Sequence, residues 1–227
     1  MSNEKISVEF NKAINFSLIN KDIINTRHDL AEFTSKKFSY VAKSLLTIES
    51  NEKSKSSDEG VALILKVGAA LISGASDLIQ SGNNYGGAAL IRQIVEVEYL
   101  AWAFEENTEE AEKWINSTKQ ERMQFFTPSK LRKAAQGKFR SKDYGYHCDL
   151  GGHPTPSAND LIEGNSAGAQ LLLSDMLGHS GRIWDHIIRW GHREGKTESV
   201  LSHYDVMLKK YTLWKKIDAT AHMPPPP

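Results

Sequence analysis

Residues 86–104 read GGAALIRQIVEVEYLAWAF. Wound as a helix, this segment places Leu90, Ile91, Ile94, Val95, Val97, Leu100, Ala101 and Trp102 around nearly the whole circumference. A helix that is apolar on all sides is normally buried. The chain must therefore supply other helices to cover it, and the flanking sequence has the period to do so. In residues 21–50, Leu30, Phe33, Phe38, Val41, Leu45 and Ile48 recur at helical spacing. Further helices are expected over about 60–80, 84–107, 166–194 and 198–219, with Asn84 and Thr127 as N-caps and Pro128 in a first turn. Two stretches read as breaks: the charged, serine-rich NEKSKSSDEG at 51–60 and the Gly/Pro-containing GGHPTPSANDLIEGN at 151–165. No alternating strand pattern is present. The fold class is all-α, a single-domain bundle of long antiparallel helices. Residues 1–20 form an extension or short helix, 21–221 the bundle and 222–227 a Pro-rich tail.

Composition narrows the function. The 227 residues are enough for one core without staples. Lys plus Arg and Asp plus Glu are balanced at 28 each, so no global charge attracts nucleic acid or membrane. The single cysteine, Cys148, suits a reducing compartment. The most apolar window, 61–79, is interrupted by Lys66 and Asp77. Its uncharged run is about half of the roughly 20 residues a membrane span needs. The expectation is a cytoplasmic protein without a membrane partner. GAALI occurs at 68–72 and again at 87–91. Small residues on both helices would let their backbones approach closely.

Three groups of residues could carry chemistry. Arg92 and Glu96 are one helical turn apart on the apolar helix. They read either as a mutually neutralising pair or as a core pocket in which Arg92 binds an oxyanion and Glu96 orients it. Residues 139–157 bring together Arg140, Asp143, Tyr144, Tyr146, His147, Cys148, Asp149 and His153. A metal site of His147, Cys148 and His153 matches no standard zinc spacing, and His147 cannot activate an adjacent Cys148 on a helix. Beside these two weaker readings stand an acid/base or RNA-contacting histidine, His147 or His153, and a helix end capped by His153 and Pro154. Finally, His179, Arg182, His186, Arg189, His192 and Arg193 recur every three or four residues with Trp184 and Trp190 between them. This stripe reads as a solvated face, with phosphate binding as the other reading.

An arginine followed seven positions later by a histidine, Arg140 to His147, in a helical bundle resembles the HEPN superfamily. That resemblance implies a metal-independent ribonuclease acting as a toxin or in phage defence. Arg140 would steady the scissile phosphate and His147 would move protons. LIRQIVEVEYLAWAF followed by YHCDLGGHPTPS resembles an uncharacterised bacterial family of HEPN-like proteins. There an arginine and a glutamate on a central helix face a helix-ending His-Pro, matched here by Arg92, Glu96, His153 and Pro154. The resemblance implies a homodimer, with RNA or a protein partner (an antitoxin or defence component), and no metal or other cofactor. The other function class is a non-catalytic dimeric module binding a protein or a small anion.

Overall fold

The computed structural model describes residues 3–47, 52–139, 141–156, 158–196, 198, 200 and 202–223. Among them every regular element is helical. The elements are α1 (Asn3–Ile19), α2 (Lys21–Thr47), α3 (Glu52–Gln80), α4 (Asn84–Glu106), α5 (Glu109–Ile115), α6 (Lys119–Phe125), α7 (Pro128–Ala134) and α8 (Ser141–His147). A π-helical turn (Cys148–Gly152), α9 (Ala158–Ile162), α10 (Ser166–Arg193), α11 (Tyr204–Ile217) and a 3-10 turn (Ala219–His222) complete the chain. Ile48, Arg140, Ser157 and the prolines 224–227 lie outside the described residues.

The helix that is apolar all round is central, as its pattern demands. α4 packs against α3, α10, α5, α7, α8, α9 and the π turn. Ile91, Ile94, Val95, Ala101 and Phe104 on it have no exposed surface. α3 and α4 meet through their small residues. A Cβ on Gly87 would stand 2.5 Å from Ile79, and one on Gly68 3.2 Å from Phe38 and 3.6 Å from Val97. These contacts run in opposite directions along the two helices, so α3 and α4 are antiparallel, as expected. α4 and α10 are not. Glu98 meets His179 and Glu105 meets His186, a constant offset of 81 residues, which only parallel helices give. The long crossover through α5 to α9 makes that direction available. Phe38 stacks on Trp184 at 6.2 Å and joins α2 to the same core.

Four boundaries differ from the sequence expectation. Residues 52–60 are helical rather than a break. The charged stretch finds partners: Lys196 Nζ donates to Asp58 at 2.6 Å, and Gly60 lies against the Ala111 carbonyl, where a Cβ would stand 2.6 Å away. The α4 N-cap is Asn83, whose Oδ1 accepts from Gly86 N at 2.9 Å, while Asn84 is buried. The Gly/Pro segment carries the π turn and α9, and the helix expected from 198 is helical at 198 and 200 but broken by a turn at 202–203 before α11 opens at Tyr204. The stretch Lys55–Gln80 is long and apolar enough to cross a membrane by length and composition. Here Ala62, Ile64, Leu65 and Ile72 from it are buried in the core shared with α2 and α4.

The π turn is held on α4 by Gly151. A Cβ there would stand 2.3 Å from Ala89 N and 2.5 Å from Ala88 C, backbone atoms that cannot move aside. Gly151→Ala is expected to cost about 1–3 kcal/mol by overpacking. Gly145→Ala, in α8 with nothing within 4 Å of the new Cβ, is expected to gain up to about 1 kcal/mol. Urea denaturation of the two variants checks the contrast.

Candidate functional site

Two copies of one polar arrangement lie along the α4–α10 seam. His179 Nδ1 stands 2.6 Å from Glu98 Oε2, and Arg182 Nε donates to Glu98 Oε1 at 2.8 Å. Seven residues on, Glu105 takes His186 Nδ1 and Arg189 Nε in the same way. The basic stripe of α10 is therefore solvated only in part. His179 and His186 are buried, each held by a carboxylate of α4, while Arg182, Arg189, His192 and Arg193 reach solvent. Trp184 and Trp190, between them, turn into the core.

The first copy has a further partner. His147, at the end of α8 and 2% exposed, places its Nε2 3.0 Å from His179 Nε2. A carboxylate only accepts, so His179 Nδ1 must carry the proton it shares with Glu98. Arg182 Nη2, 2.7 Å from that nitrogen, finds no lone pair there. The lone pair of His179 is thus on Nε2, facing His147. Glu98, His179 and His147 form a continuous chain. Two aspartates flank it. Asp143 Oδ1 is 3.7 Å from His147 Nε2, and Asp175 places Oδ2 3.6 Å from His147 Nε2 and Oδ1 3.6 Å from His179 Nε2. Asp175 Oδ2 is covered and has no hydrogen-bond partner.

Electrostatics follow from this packing. Burial works against the Glu98 carboxylate, but the neighbouring His179 ring and its hydrogen bond, together with Arg182, outweigh it and hold it down to about 2. Burial, with His179 and Arg182 nearby, lowers His147 to about 3. His147 is therefore neutral at neutral pH. Burial pushes the Asp175 carboxyl up. Asp143, Tyr146, Asp175, Arg182, Asp185 and Arg189 line a cavity of about 750 Å³ beside the chain.

Arg92 and Glu96 lie elsewhere. Arg92 Nη1 donates to Glu96 Oε1 at 2.9 Å and to the Tyr144 hydroxyl at 3.0 Å, and Tyr144 donates to the same Glu96 oxygen at 2.9 Å. The triad is closed on itself. With 27% and 32% of their side chains exposed, Arg92 and Glu96 lie at the edge of the bundle rather than in its centre. Tyr144, which the sequence grouped with His147 rather than with Arg92, completes it. Gly152 lets the π turn lie on Arg92, since a Cβ there would stand 2.8 Å from Cδ. His153 is exposed at the end of the turn, its N–H bonded to Cys148 O at 3.1 Å. Arg140 is outside the described residues. The sequence candidates thus divide. Arg92 and Glu96 are together, His147 faces a different set, and His153 faces outward.

Glu98, Asp143, Asp175 and His179 are the residues that sequence reasoning did not assemble. Two signals for them exist. Asp143-Tyr-Gly-Tyr-His147 and Asp175-Met-Leu-Gly-His179 repeat one Asp-x3-His spacing on two helices, and Glu98/Glu105 match the seven-residue step of His179/His186. No protein-family model matches this sequence, and no curated protein or solved structure matches it.

Proposed function

We propose that the chain is a HEPN-like helical ribonuclease whose reactive centre is the His147–His179 pair, acting as a toxin or defence protein and working as a homodimer. The observation that carries this reading is the Glu98–His179–His147 chain, which meets the wall of a neighbouring cavity at Glu98. Cleaving RNA requires moving a proton from the attacking 2′-hydroxyl and another to the leaving oxygen. Two histidines in contact, one fixed in its tautomer by a carboxylate, are suited to that. Arg182 and Arg189 on the cavity wall place positive charge where a phosphate would lie. Arg92, closed on Glu96 and Tyr144, is structural in this reading. The second reading is a non-catalytic module for a protein partner or small anion. What favours it is that Arg182 and Arg189 already hold glutamates.

The test is incubation of the purified protein with total cellular RNA and an unstructured oligonucleotide, beside a His147→Ala variant of matched Tm. Cleavage by the parent that falls at least about 100-fold in the variant is the expected result. Cleavage by neither, with both folded, returns the weight to the binding module. Cleavage by both equally removes His147 from the centre.

A further inference from the structure

His147 Nε2, His179 Nε2 and a carboxylate oxygen of Asp143 cluster between α8 and α10 with Asp175 beside them, and we infer that they hold a single divalent transition-metal ion. The inference lies in the same cleft as the ribonuclease reading, but rests on the donor geometry alone and survives that reading's failure.

Two ligands about 2.1 Å from one ion, at a right angle, stand about 3.0 Å apart. That is the His147–His179 nitrogen separation. The 3.6 and 3.7 Å imidazole–carboxylate separations correspond to wider angles on the same ion. The ligand atoms of Asp143, His147 and His179 lie within 4.8 Å of one another. The span across one ion is about 4.2 Å, so the set closes with a shift of about half an ångström. Each helix presents its Asp and His at i and i+4, on one face.

Without a cation the cluster is poorly satisfied. One proton can lie between the two imidazole nitrogens, while Asp175 Oδ2 remains covered without any partner. A divalent ion would answer both nitrogens and both carboxylates at once. The outer shell is also of the right kind. A metal-bound histidine usually donates its other ring N–H to a carboxylate, which fixes ring and tautomer. Glu98 does this for His179, and Arg182 in turn fixes Glu98. Imidazole and carboxylate together suit zinc, manganese or ferrous iron rather than calcium or magnesium. The ion would take the place that the family resemblance gives to a proton-moving histidine, so the two readings predict opposite responses to chelation.

The experiment is titration of the chelator-stripped full chain with Zn²⁺ and Mn²⁺ by calorimetry, and with Co²⁺ by visible absorption. One ion per chain, a cobalt ligand-field band and a raised Tm are expected. Asp143→Asn should weaken binding at least about 10-fold and His179→Ala should abolish it. His192→Ala, outside the cluster, should leave it unchanged. No stoichiometric binding by the folded parent, or binding that His179→Ala and Asp143→Asn both leave intact, would overturn the inference. Tight binding without RNA cleavage keeps the ion and removes the ribonuclease. Cleavage in EDTA by a chain that binds no ion does the reverse.

Discussion

An Arg27→Met variant is expected to lose about 3–5 kcal/mol of stability, a fall in Tm of roughly 6–20 °C for a chain of this size. Arg27 has no exposed surface. Its Nε and Nη2 donate to the two oxygens of Asp218 at 2.7 and 2.8 Å, Nη1 to Gln170 at 2.8 Å, and Nη2 to Ser17 O at 3.0 Å. Asp218 also accepts from Trp214 Nε1 at 2.7 Å and from Thr220 N at 3.0 Å. The pair ties α2 to the end of α11 and the 3-10 turn. Removing the guanidinium leaves a buried carboxylate facing an apolar side chain. Arg92→Ala breaks a half-exposed pair instead and is expected to cost about 1 kcal/mol or less. Urea melts of both variants decide the ranking, and equal losses would refute it. The pair also sets a pH dependence. Burial pushes the Asp218 carboxyl up, but the bonds from Arg27, Thr220 and Trp214 outweigh it, for a net depression. Its contribution is therefore complete above the unfolded value of about 3.9 and is lost as pH falls through the folded one. The gap between parent and Arg27→Met should narrow in acid.

Glu98→Gln should both destabilise the fold and disable the site. The carboxylate accepts from His179 Nδ1 and from Arg182 Nε on separate oxygens. An amide has one accepting oxygen, so its NH₂ must face one of those donors. The expected cost is about 1–3 kcal/mol, tempered because Arg182 is half exposed. His179 also loses the partner that fixes its tautomer, and cleavage or ion affinity should fall about 10–100-fold. Glu105→Gln is the control. It breaks the equivalent pair seven residues away and should lower stability while leaving cleavage and ion binding in place. Glu98 is held at about 2, below its ordinary value. Its stabilisation is thus full above about pH 4.5 and disappears toward pH 2. Parent and variant should converge across that window in denaturation curves. A Glu98→Gln protein as active as the parent would show that the Glu98–His179 bond plays no part in the chemistry.

How far these features could be read in advance differs residue by residue. Arg27 occupies the apolar stripe of α2, at helical spacing from Ile23, Leu30, Thr34 and Phe38, which are all buried. That position marks it, but nothing in the sequence points to Asp218, 191 residues away. Arg92 drew attention because its neighbours on α4 are apolar. The structure places it at the bundle edge, since the π turn and Tyr144 cover that face only in part. The α10 stripe shows the limit most clearly. Its spacing correctly collected His179, Arg182, His186 and Arg189 on one side of a helix. A basic stripe reads as solvated unless the facing helix supplies acids, and Glu98 and Glu105 supply them.

The sequence by itself determined the all-helical class, the central place of α4, the close approach of α3 to α4 through small residues, and the extent of α10. These follow from period, glycine and capping, which act within about one turn of each residue. The tertiary structure alone decided which charged side chains meet. That depends on the parallel register of α4 and α10, set by the crossover through α5 to α9. Hydrophobic periodicity specifies the face a helix buries, but not the helix it is buried against or the direction in which that neighbour runs. The His147–His179 contact is a product of that register, and so is the cleft in which any chemistry would take place.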